Sequence, residues 1–173
     1  IVAFRDHYGI RPLSIGKRRD SYMISSESSA LSSMEFEFLR DVAPGEAIII
    51  GLDGIISKKR VSGCLQTMPC LFEFVYFSRP DSIIDSISVH KTRLRMGDAL
   101  GQLILDDYGN LNIDVVIPIP DTSRTAAMQV AYKLGVKYRE GFMKNRYIGR
   151  TFIMPGQQIR KRSVRQKLNP IEI

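Results

Sequence analysis

The sequence predicts a chain of mixed architecture, in which a strand-rich α+β region is followed by an α/β region built on a parallel sheet. Short β-prone runs separated by turn residues occupy the first part of the 173 residues. A helical pattern, an apolar run and a second helical pattern then follow between residues 89 and 134, in the order typical of an α/β domain. Residues 61–69 lack periodicity and contain Gly63 and Pro69, so we place the boundary between the two regions near residue 68.

The strands of the first region are recognised by short β-prone runs bounded by turn residues. They are predicted at residues 1–4, 13–16, 22–25, 46–50 and 55–59. Between the last two runs, Asp53-Gly54 predicts a hairpin with a type I′ turn, because this dipeptide readily adopts positive φ. Residues 26–31 predict a short helix capped by a serine side chain.

The second region begins with an amphipathic helix predicted over residues 89–107, with Ser88 in position to cap it. The apolar run 114–120 is typical of a strand covered on both faces in a parallel sheet. A second helix is predicted over 123–134 and ends at Gly135, where a left-handed residue is expected. A short strand at 136–138 follows.

Residues 141–158 are predicted to form a long loop, because they contain three glycines and one proline and show poor periodicity. Loops of this length are usually functional lids or disordered segments. The aromatic and aliphatic residues among the cations favour a lid that packs when it closes. A solvated basic loop is the alternative.

Positive charge is concentrated near this loop. The formal net charge is +7, and residues 139–167 contain nine basic residues against one acid, Glu140. The basic residues are Arg139, Lys144, Arg146, Arg150, Arg160, Lys161, Arg162, Arg165 and Lys167. We call residues 139–167 the basic segment. An anionic partner is expected to bind there, although a run of charge is also the usual property of a solvated surface.

The composition excludes several classes of protein. With 44% hydrophobic and 25% charged residues, the chain has an ordinary globular composition. It has no apolar stretch approaching the roughly 18 residues of a membrane span, and no signal-peptide pattern at its start. Cys64 and Cys70 lack the neighbours of a zinc site, and two cysteines do not make a disulfide framework. We therefore expect a cytoplasmic protein with no membrane partner. The first and last residues lie within structured patterns, so we also expect a fragment.

A candidate binding site lies at residues 121–123, Asp121-Thr122-Ser123, which we call the junction. It follows a predicted buried strand and precedes a helix, the place where open α/β sheets bind ligands. Free N–H groups and the helix dipole favour an anion there, and a hydroxyl group can join a phosphate or a hydrated magnesium ion. Simple capping of the helix is the alternative.

Several segments together resemble the amidophosphoribosyltransferase family, also called glutamine phosphoribosylpyrophosphate amidotransferases. The resemblance covers nearly the whole chain. It includes residues 4–6, 8–13, 26–28, 40–46, 72–85 and 144–157, and its most specific parts are 76–82, 117–123 and 144–152.

This resemblance implies a partial N-terminal-nucleophile hydrolase αββα sandwich over residues 1–68, which belongs to the glutaminase domain. It implies a partial type I phosphoribosyltransferase parallel-sheet domain over residues 69–173, including the flexible loop. The implied activity is the transfer of glutamine-derived ammonia to phosphoribosyl pyrophosphate, which gives phosphoribosylamine in the first step of purine synthesis. The implied substrates are phosphoribosyl pyrophosphate and glutamine, the implied cofactor is Mg²⁺, and a homo-oligomer with no nucleic-acid partner is expected.

The resemblance also assigns roles to particular residues. Ser123 falls at the family's magnesium and phosphoribosyl pyrophosphate site. Lys144 and Arg150, and less strongly Arg146 and Arg162, are predicted to contact that substrate from the flexible loop. Cys70 matches one iron–sulfur ligand of some members, and its partner cysteines are not in this sequence. The members that the sequence most resembles keep this cysteine without a cluster, so the resemblance implies no cluster here.

Two departures from the family pattern limit these implications. The family's catalytic cysteine has no counterpart at Ile1, and its phosphoribosyl pyrophosphate motif would lie beyond Ile173. No catalytic residue is therefore predicted, and the chain alone is expected to be inactive. The alternatives are a basic nucleic-acid-binding module, which uses cations beside Tyr147 and Phe152, and a non-catalytic remnant.

Overall fold

The computed structural model describes residues 1–54, 56–60, 66–109 and 111–172, with the backbone alone for 56–60. Cys64 lies outside the described residues. By their internal contacts, the residues form two compact units, Ile1–Thr92 and Arg93–Ile173. We call them unit 1 and unit 2 and describe each by itself.

Unit 1 is built from small antiparallel sheets. One sheet has the strand order β1-β5-β6, a second has the order β3-β2-β4, and β7 and β8 form a hairpin. The elements are β1 (Val2–Phe4), β2 (Ser14–Arg18), β3 (Ser21–Ser25), α1 (Ser28–Ser33), β4 (Glu37–Asp41), β5 (Glu46–Ile50), β6 (Ile56–Arg60), a π-helical turn (Glu73–Phe77), β7 (Ile83–Ile84) and β8 (Ile87–Ser88).

The predicted strands of unit 1 are confirmed, whereas the short strands β7 and β8 were not predicted, and neither was β4. Its Phe38 and Leu39 are exposed, so its pattern is not the alternation of a half-buried strand. The strand exists because it pairs with β2, across a register shift between Ile15 and Gly16. Tertiary pairing therefore decides this element.

The hairpin between β5 and β6 is confirmed, but its turn differs from the predicted type I′. The Gly54 N–H donates to the Gly51 carbonyl at 3.2 Å, and the positive φ of 74° falls on Gly54 after the turn rather than on the two residues at its centre. A five-residue connection between the paired Ile50 and Ile56 has room for this wider turn.

The core of unit 1 joins β2 to β5. Ile15, Val42, Ile48 and Ile50 are buried together, with Leu13, Tyr22 and Ile24 packed against them. Burying an aliphatic side chain of this size contributes about 1.5–3 kcal/mol. This cluster therefore stabilises the contact between β2 and β5 in unit 1.

The short helix α1 is confirmed, but its serines do not cap it. The N-cap residue is Glu27, which makes no side-chain capping hydrogen bond. Instead, the Ser28 hydroxyl accepts from the Ile83 N–H at 2.9 Å, and the Ser82 hydroxyl donates to Glu27 at 2.8 Å and is hydrogen-bonded to the Ser29 hydroxyl at 2.8 Å. These bonds hold the segment after residue 78 on unit 1. The division between family domains near residue 68 stays a prediction.

Unit 2 contains a parallel βαβ arrangement. Strands β9 (Val115–Val116) and β10 (Lys137–Tyr138) pair in parallel, with helix α3 (Arg124–Leu134) as the crossover. Helix α2 (Val89–Tyr108) begins at the end of unit 1 and continues into unit 2. The remaining elements are β11 (Phe142–Lys144), α4 (Gln157–Lys167) and β12 (Leu168–Pro170). The mixed α+β and α/β class is confirmed.

The helix ends follow the predicted signals. The Ser88 hydroxyl accepts from the Lys91 N–H at 3.3 Å, so the predicted cap of α2 is present. Gly135 ends α3 in the left-handed conformation with φ of 68°, as predicted. Gly97 allows α2 to approach α3 closely, since a Cβ there would lie 2.4 Å from the Ala126 carbonyl oxygen.

The apolar run 114–120 forms less structure than predicted. Only Val115–Val116 is a strand, and Ile117 and Ile119 are 44% and 57% exposed. Pro118 and Pro120 lack the N–H that a sheet ladder needs, and β10 is the one described neighbour of β9. The predicted parallel pairing is confirmed. The prediction that this strand is covered on both faces is wrong for the described residues.

Candidate functional site

The basic segment contains a long excursion, residues 145–167, which connects two paired strands of unit 2. Strands β11 and β12 are antiparallel, with Lys144 opposite Leu168. The pairing is extended by the Asn145 N–H, which donates to the Lys167 carbonyl at 2.8 Å, and by the Ile171 N–H, which donates to the Gly141 carbonyl at 3.0 Å. The excursion therefore begins after Lys144 and ends before Leu168, and these two residues lie side by side in the paired strands.

The excursion contains an irregular loop, residues 145–156, followed by helix α4. The predicted loop is confirmed over these residues and wrong at its ends, where 142–144 form β11 and 157–158 begin α4. Strand β11 forms because it pairs with β12, more than twenty residues later. No local sequence pattern therefore predicts it. The Lys167 ammonium group donates to the Gly149 carbonyl at 2.8 Å and holds the loop to the end of α4.

Asp121 is the centre of charge at the junction. Its Oδ2 atom accepts from the Lys144 ammonium group at 3.0 Å, and the Arg146 Nε atom lies 4.0 Å from the same oxygen. The Arg124 Nη1 atom lies 3.5 Å from Asp121 Oδ1. Cations from β11, from the irregular loop and from α3 thus converge on one carboxylate.

This environment keeps Asp121 ionised. Partial burial acts to raise the pKa of Asp121, but the hydrogen bond from Lys144 and the charges of Lys144, Arg146 and Arg124 outweigh burial and lower that pKa below its ordinary value of 3.8. The carboxylate is therefore negatively charged at neutral pH.

A second carboxylate secures Arg124. The Arg124 Nη2 atom donates to Glu140 at 3.3 Å, and the Tyr138 hydroxyl donates to Glu140 at 2.8 Å. Burial, followed by the hydrogen bond and charge of Glu140, raises the pKa of Tyr138 above its ordinary value of 10.0. The phenol is therefore a hydrogen-bond donor at neutral pH, and it fixes the Glu140 that holds Arg124.

Comparison with known proteins gives a consistent match. No family model matches the chain. The whole chain is 57% identical to amidophosphoribosyltransferase of Pseudomonas aeruginosa, and 98% of it is 56% identical to the Escherichia coli protein of the same name. The Saccharomyces cerevisiae protein is 51% identical over 99% of the chain. The chain belongs to the amidophosphoribosyltransferase family.

Solved structures agree with the sequences. Glutamine phosphoribosylpyrophosphate amidotransferase from B. subtilis, complexed with ADP and GMP, superposes with a TM-score of 0.79 and 41% identity over 98% of the chain. The allosteric regulatory enzyme of purine biosynthesis superposes with a TM-score of 0.78 and 40% identity. The chain spans about 35% of the length of the curated amidophosphoribosyltransferases and 36% of the B. subtilis chain.

The structure places two of the residues predicted from the amidophosphoribosyltransferase resemblance at the junction, which contains a third, Ser123. Lys144 and Arg146 reach Asp121, two residues from Ser123. Arg150 and Arg162 are exposed on the irregular loop and on α4, outside the set of described cations that pair with Asp121. Their assignment to substrate binding, like that of Lys144 and Arg146, stays a prediction.

Ser123 occupies the N-cap position of α3 but makes no side-chain capping hydrogen bond. Its hydroxyl donates to the Ile119 carbonyl instead. The simple capping role considered for this serine is therefore not the one it has. The hydroxyl oxygen keeps lone pairs that can accept a hydrogen bond or join a metal ion.

Sequence reasoning missed the contribution of Arg124, Glu140 and Tyr138. Arg124 stands three residues after Asp121, a spacing that favours ion pairs at a helix start, so it could have been suspected. The pairing of Arg124 with Glu140 depends on the return of the chain through β10, and no sequence spacing indicates it.

Two classes of feature are absent from the described part of the chain. No group of three or more His, Cys, Asp or Glu side chains there could hold a metal ion. No helix there is long and apolar enough to cross a membrane. The oxygens of the junction suit magnesium chemically, but three cations already surround the Asp121 carboxylate, so an ion there would depend on ligands supplied by a phosphate.

Proposed function

We propose that this chain carries the diphosphate-binding part of an amidophosphoribosyltransferase. The reaction of the longer protein would transfer glutamine-derived ammonia to phosphoribosyl pyrophosphate, release pyrophosphate and give phosphoribosylamine, the first step of purine synthesis. The observation that carries the proposal is the contact of Lys144 with Asp121 at 3.0 Å. This contact brings the start of the excursion next to the junction.

The charge of the site supports a polyanionic ligand. Lys144, Arg146 and Arg124 converge on the junction, and α3 starts there with its free N–H groups. Hydrogen bonds between guanidinium or ammonium groups and phosphate are roughly twice as strong as those between neutral groups. The diphosphate of phosphoribosyl pyrophosphate carries several negative charges that match these groups.

The irregular loop supports a lid function. Tyr147 is 99% exposed and Phe152 is 71% exposed, so the loop has apolar surface that closure over a ligand could bury. A closed lid excludes water and protects both an activated sugar and ammonia from loss. In this proposal, Arg150 on the loop and Arg162 on α4 add cations to the closed state.

Magnesium enters the proposal together with the diphosphate. The Ser123 hydroxyl would hold the ion with the phosphate oxygens, and bound magnesium offsets charge on the departing pyrophosphate. Glutamine is the second substrate of the longer protein. A cytoplasmic homo-oligomer without a nucleic-acid partner completes the proposal.

Calorimetric titration of phosphoribosyl pyrophosphate with magnesium into the chain tests the proposal. We expect Lys144→Ala to weaken binding about tenfold, the size of one lost charged hydrogen bond. The matched control is Lys91→Ala, which removes an exposed lysine of α2 and should leave affinity unchanged. Circular dichroism verifies that each variant folds.

Two results would reject the proposal. One is the absence of binding to the wild-type chain, and the other is equal affinity of wild type and Lys144→Ala. Tight binding of single-stranded RNA with a steep salt dependence, and no response to phosphoribosyl pyrophosphate, would favour the nucleic-acid alternative.

A further inference from the structure

We propose that Asp121 is an internal competitor for the cations of the basic segment: its carboxylate occupies Lys144 and Arg146 until an anionic ligand displaces it. Asp121 would thereby determine how much negative charge a ligand needs in order to bind. This inference rests on the proposed function, since it concerns the same cations.

The geometry of the carboxylate resembles that of a bound anion. Its Oδ2 atom takes the Lys144 hydrogen bond at 3.0 Å and faces Arg146 at 4.0 Å. The Lys144 N–H group that points to Asp121 is one that a phosphate oxygen could take over. Carboxylate and phosphate are alternative partners for one ammonium group.

The three cations around Asp121 differ in how firmly they are held. Arg124 also pairs with Glu140, which the Tyr138 hydroxyl fixes, so Arg124 keeps an anionic partner when Asp121 is displaced. Glu140 is not among the described partners of Lys144 or Arg146. The exchange therefore concerns the two cations of the basic segment and leaves Arg124 in place.

The exposure of the paired side chains determines how strongly Asp121 competes with an anionic ligand for Lys144 and Arg146. The Asp121 and Lys144 side chains are 35% and 27% exposed, and the Arg146 side chain is 78% exposed. Water screens such pairs, so the carboxylate can be displaced. We expect Asp121 to lower the affinity of a competing anion about fivefold, the size expected of a partly exposed ion pair.

The test measures binding of inorganic diphosphate by calorimetry with a chelator present, so that no metal bridges the carboxylate and the anion. Asp121→Asn should bind diphosphate about fivefold more tightly than wild type. Asp107→Asn is the matched control, because it removes the same charge from an exposed position near the end of α2, and it should bind as wild type does.

A double variant shows whether Lys144 mediates the effect. In the Lys144→Ala background, the gain from Asp121→Asn should fall below about twofold, because the hydrogen bond in competition is already gone. A gain of full size in that background would overturn the inference, as would an Asp121→Asn variant with unchanged or weaker diphosphate binding.

If Asp121→Asn does not fold, an NMR titration of the wild-type chain with diphosphate tests the inference. Saturating diphosphate should shift the NMR signals of the Asp121 carboxyl carbon and the Lys144 ammonium group together. Bound diphosphate that leaves the Asp121 signal unchanged overturns the inference alone. Failure of the wild type to bind diphosphate, or indifference to Lys144→Ala, would overturn the proposed function as well.

Discussion

Arg5 and Asp85 form a bidentate ion pair in unit 1, in which Arg5 Nη1 and Nη2 each donate to one Asp85 oxygen at 2.7 Å. The Arg5 side chain is 1% exposed. Its other hydrogens go to the carbonyls of Gly9, Arg11 and Val42, at 3.0, 2.9 and 2.9 Å. One guanidinium group therefore ties β1, the turn after it, the end of β4 and the β7–β8 hairpin together.

Replacing this arginine should destabilise unit 1 strongly. Arg5→Ala leaves the Asp85 carboxylate without its partner and three carbonyls without a donor, and loss of one partner of a buried pair costs about 3–5 kcal/mol. We expect about 3 kcal/mol, near the lower limit, because Asp85 is 30% exposed. Urea unfolding followed by circular dichroism measures the change.

Arg79→Ala is the matched control for that experiment. Arg79 also pairs with an aspartate, Asp81 at 2.8 Å, but both side chains of that pair are more than half exposed. The urea midpoint of Arg79→Ala should therefore equal that of wild type. A midpoint for Arg5→Ala close to that of the control would show that the buried network contributes little.

The close approach of α2 and α3 predicts that Gly97→Ala is destabilising. Its new Cβ would meet the Ala126 carbonyl oxygen at 2.4 Å, so backbone has to move, and overpacking of this kind typically costs about 1–3 kcal/mol. Alanine's better helix propensity offsets up to about 1 kcal/mol. Thermal unfolding should therefore show a net loss, whereas Gly149→Ala, with nothing within 4 Å of the new Cβ, should show none.

The ion pairs of Asp121 predict a pH-dependent contribution to stability. Because the pKa of Asp121 is lower in the folded chain than its ordinary value of 3.8, its pairs stabilise the fold fully above that value. The contribution is lost as the pH falls through the folded pKa. The difference in unfolding free energy between wild type and Asp121→Asn should thus be constant well above pH 3.8 and shrink toward zero as the pH falls from 3.8 through the lower folded-state pKa. A difference that persists at the acid end would contradict this assignment.

The lid proposal predicts protection of the irregular loop from trypsin. Arg146 and Arg150 lie in exposed irregular backbone, where proteases cut most readily. Phosphoribosyl pyrophosphate with magnesium should slow cleavage at both sites about fivefold or more, because closure lowers the population of accessible loop. Cleavage after Arg19, in the exposed turn between β2 and β3, should be unaffected. Equal slowing at all three sites would indicate inhibition of the protease instead.

Local chemistry was sufficient for much of the fold. The Ser88 cap, the left-handed Gly135 and the spacing of apolar residues in α2 depend on near neighbours in the chain, so they were predicted with nearly correct bounds. The type I′ turn at Asp53-Gly54 was wrong because the length of the connection, and not the dipeptide alone, selects the turn.

The sequence by itself determined that a cationic loop and a strand-to-helix junction exist, because composition, turn residues and helix signals are local properties. It also carried the family resemblance that the comparisons confirmed. Only the tertiary structure decided that Lys144 and Arg146 meet Asp121, that Glu140 secures Arg124, and that β11 pairs with β12. These contacts join residues sixteen or more positions apart, with the pairing set by the return of the chain. No periodicity along the sequence encodes which partner such a residue will find.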